Sequence, residues 1–277
     1  MTSSAQFRAF SPAVPLALPN RGECLFYHSI DFPDEPPAIG AWDIRGEFEQ
    51  YIGCYPIVGK TVLDVGTASG FLAFSAEKAG AAHVTAVDVF DSLEIRHLQF
   101  AGHPFHSSRN EWLHDNDAFV ASLKRSFWYS WHRLNSGVEV FYVPIDTFPF
   151  WDRQFDVVFA GALVEHLSDP ISAIGHIARL AKEAVIIAFT PVIEADDQIM
   201  KTANDWSDPV HCFTWWTLSR GLYNRIFENL GFTVEYKASR AIYSPSSGVF
   251  LGAERPTIIA RRIKPANTEN VTAGIFP

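Results

Sequence analysis

From Thr61 onward, short apolar runs alternate with stretches whose apolar residues recur at helical spacing. This is the pattern of successive βαβ units and a parallel sheet. Residues 61–65 (TVLDV) read as the first buried strand, and residues 70–80, rich in Ala and Phe, as the first helix. Further strands are expected at 83–88, 138–143, 155–160 and 183–190. Asp169 and Pro170 open a helix as an N-cap acid and a first-position proline, and Ile171, Ile174, Ala178 and Ala181 form its apolar face. Leu218, Leu222, Ile226 and Leu230 mark another helix, closed by Gly231. Residues 232–236 and 256–261 supply two last strands around a turn region rich in Ser, Pro and Gly, an antiparallel pair at the sheet edge.

Two segments stand outside this repeat. Residues 31–40 carry Pro33, Pro36 and Pro37 and read as a linker, dividing the chain into an N-terminal arm (1–39) and a main domain (40–277). Residues 101–137, between the second and third strands, far exceed the usual connection of about two to six residues. In their second half Val120, Leu123, Phe127, Trp131 and Leu134 share one face of an amphipathic helix, with Lys124, Arg125, His132 and Arg133 largely on the other. Asn116 or Asp117 can cap its start and Gly137 its end. A helical insertion of this kind is either a lid over a pocket or added packing.

Composition narrows the function. With 48% hydrophobic residues over 277, the chain can bury a sizeable core. Lys and Arg number 22 against 31 Asp and Glu, a net charge of −9 with no local basic cluster, which argues against nucleic acid as a partner. Cys24, Cys54 and Cys212 lie far apart with no C-x-x-C pair. That excludes a dense disulfide framework and any metal site legible from spacing, so no metal is expected, and it fits a reducing compartment. No run of about 18 apolar residues occurs, and Pro12, Pro15 and Pro19 break the apolar stretch near the start. The expectation is a cytoplasmic protein without a membrane partner, monomeric or homodimeric. The 23 Phe, 8 Trp and 8 Tyr belong either to a Phe-rich core or to an aromatic-lined pocket.

The most informative stretch is Val62-Leu-Asp-Val-Gly66-Thr-Ala-Ser-Gly70-Phe71, a strand running through a glycine turn into a helix. That arrangement binds nucleotide-like ligands at a strand's C-terminal edge. Its G-x-x-x-G spacing matches neither the dinucleotide fingerprint nor a P-loop, and no lysine follows. Asp64 inside the strand suits a cationic ligand better than phosphates. Asp88, 24 residues on at the end of the second strand, is placed to accept both hydroxyls of a ribose. Asp146, just past the third strand, is placed to accept the exocyclic amine of adenine. Three acids at successive strand ends with a glycine turn describe an adenosine whose other end is positive.

This set resembles the class I S-adenosylmethionine-dependent methyltransferases over roughly residues 40–263. The matching pieces are VLDVGTASG, the Asp88 strand end, VPID and FDVVFAGALVEHLSDP. The resemblance implies a Rossmann-like α/β fold whose seven-stranded, mostly parallel sheet runs 3-2-1-4-5-7-6, with helices on both faces. It implies S-adenosylmethionine as cofactor: Asp64 and the Gly66, Thr67, Ala68, Gly70 turn at the methionine part, Asp88 and Val89 at the ribose, and Asp146 at the adenine. Ala160 and Gly161 would offer carbonyls to the amino group.

A narrower similarity, to the tRNA wobble-uridine carboxymethyltransferase family and its bacterial relatives, rests on Tyr27-His28, on Trp42 to Arg45, on EHLSDP and on Trp215-Trp216. That family has a Tyr-His pair after the fourth strand and a lysine in the W-x-x-R region. Here Glu165-His166 occupies the first place and no lysine lies between Gly40 and Gln50. An acid there repels a carboxylated cofactor, so ordinary methyl transfer is expected.

The sulfonium is already activated, so the protein must align a nucleophile and, where needed, remove its proton. His166 after the fourth strand is the leading base, its other reading a structural histidine bonded to its own loop or stacked on the adenosine. Glu165 and His211 are the further catalytic candidates. Trp42, Arg45, Trp215 and Trp216 are candidate substrate contacts, with core packing the plain reading of the tryptophans. Three functions compete. They are a methyltransferase acting on O or N of a small molecule, aromatic or heteroaromatic acceptors included; a tRNA wobble-uridine modifying enzyme; and a non-catalytic module of the same fold.

Overall fold

The computed structural model describes residues 11–205, 207, 212–238, 242–250 and 255–265. The apolar runs become strands β1 (Thr61–Val65), β2 (His83–Asp88), β3 (Glu139–Tyr142), β4 (Phe155–Gly161), β5 (Ala181–Ala188), β6 (Phe232–Ala238) and β7 (Pro256–Arg262). They pair in the order β3-β2-β1-β4-β5-β7-β6. The first five run parallel, and β7 is antiparallel to both β5 and β6. The expected seven-stranded Rossmann-like sheet is therefore present. Its central strands read as continuous Val, Ile, Leu and Phe because helices cover both faces.

Those helices are α1 (Phe71–Lys78), α2 (Arg109–Arg133), α3 (Pro170–Leu180) and α4 (Arg220–Asn229). One core layer joins α1 and α2 to the sheet through Phe71, Phe74, Phe127 and Trp128. The other joins α3 and α4 through Ile174, Ile177, Tyr223 and Phe227. Asp169 caps α3 by accepting from the Ser172 amide (3.1 Å), with Pro170 next in line as expected. Ser219 caps α4 by accepting from the Leu222 amide (3.1 Å). Leu218 thus lies before the helix, in a short strand Trp216–Ser219 that pairs with Val192–Ile193 and Met200–Thr202. β5 begins at Ala181, two residues before its expected start, because α3 runs straight into it.

α2 also departs from its expected ends. It starts at Arg109, and Asp117 lies within it, accepting instead from the Ser92 hydroxyl (2.6 Å). Asn135, with φ of +50°, turns the chain out of the helix before Gly137 is reached. Its C-terminal half is packing: Phe127, Trp128 and Tyr129 are buried against the sheet and the arm. The stretch 31–40 is a turn, not an extended linker. Ile30 and Ala38 exchange both backbone hydrogen bonds at 2.9 Å, and Phe26 and Phe32 meet Tyr129 edge-on at 6.0 and 5.6 Å. Among the described residues no helix is long and apolar enough to cross a membrane.

Packing at α2 is directly testable. Phe127→Ala removes a fully buried ring and is expected to cost about 3–5 kcal/mol in urea unfolding. Phe119→Ala, at an exposed position of the same helix, should change stability by about 0.5 kcal/mol or less. Equal effects at both positions would show that α2 does not pack as described.

Candidate active site

Past β1 the chain enters the glycine turn, which is fastened to the end of β2. The Gly66 and Thr67 amides both donate to the Val87 carbonyl (2.9 and 3.1 Å), and the Gly70 amide donates to Thr67 (2.7 Å). Asp88 completes the fastening: its two carboxylate oxygens accept the Ala68 amide (2.6 Å) and the Val89 amide (2.7 Å). Gly70 sits at φ +90°, and a Cβ there would lie 2.3 Å from the Phe74 ring and 2.8 Å from the Phe127 ring. Glycine is required at that position so that α1 and α2 can close beneath the turn.

Asp64 lies directly under this turn, fully buried, accepting from the Thr67 hydroxyl (2.7 Å). Burial pushes its carboxyl up to about 7, with the nearby Asp88 adding to the rise. Burial also raises Asp88, opposed by the two amides that donate to it and by the ammonium of Lys124. Lys124 itself sits over the Tyr142 ring at 4.2 Å and donates to the Phe90 carbonyl. A carboxylate offers about four acceptor positions. Asp88 therefore keeps positions for further donors beyond the two amides.

Asp146 is exposed, on a 3-10 turn (Ile145–Phe150) after β3. Ala160 is fully buried and Gly161 ends β4, where a Cβ would lie 2.7 Å from Leu72 Cδ1 and 3.0 Å from the Tyr51 hydroxyl. The bare glycine lets Tyr51 approach the strand end.

Next comes the short turn Val164–His166. Glu165 is only 3% exposed and does not present an uncompensated charge. It accepts from Thr190 Oγ1 (3.2 Å) and Arg255 Nη1 (3.3 Å), and the Thr190 hydroxyl lies 3.4 Å from that of Tyr223. Contrary to the expectation from sequence, Glu165 has no free charge with which to repel a carboxylate, because Arg255 balances it. The hydroxyls of Tyr27 and Tyr51 are raised chiefly by burial, with Glu165 among the smaller causes, as is the Tyr223 hydroxyl. His166 Nδ1 lies 3.3 Å from the Phe213 carbonyl, and its ring stacks on Phe213 at 5.1 Å. The Thr214 hydroxyl lies 3.4 Å from the same Nδ1, and in the tautomer that donates from Nδ1 to the Phe213 carbonyl, Nε2 is left as the acceptor nitrogen.

Arg45 gives three donors to acids, pairing with Asp43 at 2.8 and 2.5 Å and with Asp31 at 2.7 Å. Those bonds tie it to its own turn. Trp42 packs against the core of the N-terminal arm, its amide donating to the Tyr27 carbonyl (3.0 Å) and its carbonyl accepting the Ser29 amide (2.8 Å). Trp215 Nε1 donates to the Arg96 carbonyl (3.1 Å) and Trp216 Nε1 to that of Ser168 (3.0 Å). All three tryptophans are half-buried. His211 lies outside the described residues.

A family model described as a methyltransferase domain matches residues 47–237, from the segment ahead of β1 into β6. The chain belongs to the S-adenosylmethionine-dependent methyltransferases. Among its curated relatives, the ubiquinone biosynthesis O-methyltransferases of Salmonella arizonae and Salmonella typhi are 27% identical over 183 residues, 59% of this chain and 62% of theirs. The chain thus spans less than two thirds of the length of the relatives it matches. Among solved structures, magnesium protoporphyrin IX methyltransferase from Synechocystis with bound SAH covers 78% of this chain and 80% of its own, at 14% identity and a TM-score of 0.46. An O-methyltransferase family protein from Burkholderia thailandensis covers 73% and 51%, at 16% identity and 0.47.

In this methyltransferase, Tyr51, Thr190, Tyr223 and Arg255 around Glu165 were not visible from the sequence, because four distant elements deliver them. Tyr27 stands in the Tyr27-His28 pair of the narrower similarity, without a spacing that marks its hydroxyl.

Asp64 gives the enzyme a stability signature. Its carboxyl keeps its proton to about pH 7 when folded and releases it near its ordinary value when unfolded. The folded state then binds more protons between about pH 4 and 7, so stability falls as pH rises through that window. Asp64→Asn should flatten this fall in urea unfolding measured from pH 4 to 7. Parallel curves for the two proteins would mean that Asp64 is ionised in the fold.

Proposed function

We propose that the enzyme transfers the methyl group of S-adenosylmethionine to an O or N atom of a small-molecule acceptor, aromatic and heteroaromatic acceptors included. The observation that carries this reading is His166, held through Nδ1 by the Phe213 carbonyl beside the buried Glu165–Arg255 pair. The net charge of −9 and the phenol groups gathered near Glu165 support a compact, uncharged or aromatic acceptor over a polyanion.

The residues fit the cofactor. Asp88 is oriented by two amides and retains acceptor positions, which suits a ribose diol. Ala68 and Val89 serve by positioning Asp88. The turn from Gly66 to Gly70, with Thr67 fixed on Asp64, is assigned to the methionine part, Ala160 and Gly161 to the amino group, and Asp146 to the adenine edge. When bound, S-adenosylmethionine supplies a methyl group already activated on a sulfonium. The protein's task is then alignment and proton removal. His166 Nε2 takes the acceptor's proton, while the Phe213 carbonyl keeps the ring oriented and accepts from Nδ1 throughout. Arg255 holds Glu165 in place, and the hydroxyl of the half-buried Tyr27 offers a hydrogen bond to the acceptor's polar groups.

Two variants separate these roles. Asp88→Ala should weaken S-adenosylmethionine binding about 10-fold or more by calorimetry, since a hydrogen bond to a charged group is lost. Unchanged affinity removes Asp88 from the site. His166→Ala should lower turnover about 10²–10⁴-fold with little change in that affinity, once a screen for S-adenosylhomocysteine release has found an acceptor. The loss should shrink for acceptors already deprotonated at the assay pH. Near-normal turnover in His166→Ala makes the residue structural.

A further inference from the structure

Three side chains that the methyl-transfer chemistry does not use converge beside the site. His97 and His103 come from the segment between β2 and α2, and Cys212 from the loop before the Trp216–Ser219 strand. Their nearest ligand atoms all lie within 4.8 Å of one another. Cys212 Sγ is 3.4 Å from His97 Nδ1 and 3.6 Å from His103 Nε2. Cys212 and His103 are buried, at 1% and 2% exposure, and His97 is half-buried. We propose that His97, His103 and Cys212 form a zinc site that fastens the segment after β2 to the loop beside His166.

The donor set and its edges support this assignment. Zinc favours imidazole nitrogen and thiolate sulfur at about 2.0–2.1 and 2.3 Å, which in a tetrahedral shell separates sulfur from nitrogen by about 3.6 Å. The two sulfur–nitrogen edges, 3.4 and 3.6 Å, lie close to that length, and side-chain shifts bring the two ring nitrogens, now within 4.8 Å, to the separation of about 3.3 Å that the same shell requires. One thiolate and two neutral imidazoles leave a buried Zn²⁺ with one residual positive charge. Three protein ligands leave a fourth position, which water fills.

The surroundings hold these ligands in place. Trp112 packs edge-on against both rings, at 5.0 Å from His97 and 5.2 Å from His103. The Leu98 amide donates to the Cys212 carbonyl (2.8 Å). His97 also meets Phe213 at 5.7 Å, the ring on which His166 stacks. The metal is thus one residue away from the group that orients the base. Binding releases the Cys212 thiol proton to solvent. It also displaces the His103 ring proton from Nε2 to Nδ1, at the expense of the single hydrogen bond that Nδ1 accepts from the Phe105 amide (3.1 Å).

Cobalt tests this on the full-length chain without any acceptor. Protein dialysed against a chelator and titrated with Co²⁺ should develop thiolate-to-cobalt charge-transfer absorption and the visible bands of a tetrahedral ion, saturating at about one ion per chain. Zn²⁺ should displace them. Cys212→Ser should abolish the charge-transfer band, and His103→Gln should weaken Co²⁺ binding at least 10-fold. Cys24→Ser and Cys54→Ser should leave both unchanged. Absence of the band in the wild-type protein, or its survival in Cys212→Ser, overturns the proposal and leaves the trio a hydrogen-bonded thiol–imidazole network. Because the wild-type titration needs no variant, a folding defect in Cys212→Ser does not obscure the outcome. Metal binding with no methyl transfer would count against the proposed acceptor chemistry alone.

Discussion

The hydrogen bonds from the Ala68 and Val89 amides to Asp88 are the constraint on which the site depends. They join the glycine turn after β1 to the end of β2, so two neighbouring strand ends present one continuous surface. Ala68 holds a left-handed conformation, φ +48°, which an L-residue adopts only where surrounding bonds demand it. The demand comes from both sides: Asp88 takes the Ala68 amide, and the Val87 carbonyl takes those of Gly66 and Thr67. Beneath, Asp64 receives the Thr67 hydroxyl. From the other side the N-terminal arm leans on the turn, with the Tyr27 amide donating to the buried Ser69 hydroxyl (3.1 Å). A turn held in this way is ordered before any ligand arrives, and little conformational freedom is lost on binding.

The acceptor side is built differently. Its groups come from loops, and hydrogen bonds between those loops hold them together with the stacking of His166 on Phe213. The Trp215 amide donates to the Glu165 carbonyl (2.7 Å), and the Phe213 carbonyl faces His166. The loop before the Trp216–Ser219 strand therefore sets both the catalytic candidate and its buried acidic neighbour. Glu165 is tolerated at 3% exposure because Arg255 and Thr190 satisfy it, and removal of either partner leaves a buried charge in part unpaired. In this family's sheet, antiparallel β7 returns alongside β5, which brings Arg255 at its start to the edge where β4 ends.

The sheet was legible because buried parallel strands are written as unbroken apolar runs, and VLDVG, Asp88 and the Asp169-Pro170 helix start are local signals. Strand order followed from the family resemblance. Helix ends were less legible: α2 begins at Arg109 with no side-chain cap to announce it, and Asn135 ends it by a backbone conformation that composition does not show. The turn at 31–40 was hidden because prolines mark a tight turn as readily as a linker, and the pairing of Ile30 with Ala38 is a tertiary fact. Glu165 stands out by its place after β4, yet its partners Arg255, Thr190 and Tyr223 lie far along the chain. The same holds for Cys212, whose histidine neighbours are more than 100 residues away. Pairings of that kind leave no spacing to read.

The most direct test is amide hydrogen exchange, resolved by residue, on the ligand-free enzyme. If Asp88 pre-forms the turn, the Ala68 and Val89 amides exchange slowly without S-adenosylmethionine, and Asp88→Ala makes both fast while the amides of β4 and β5 stay protected. If both amides exchange freely in the wild-type protein and slow only when S-adenosylhomocysteine is added, the ligand orders the turn and Asp88 does not pre-form it.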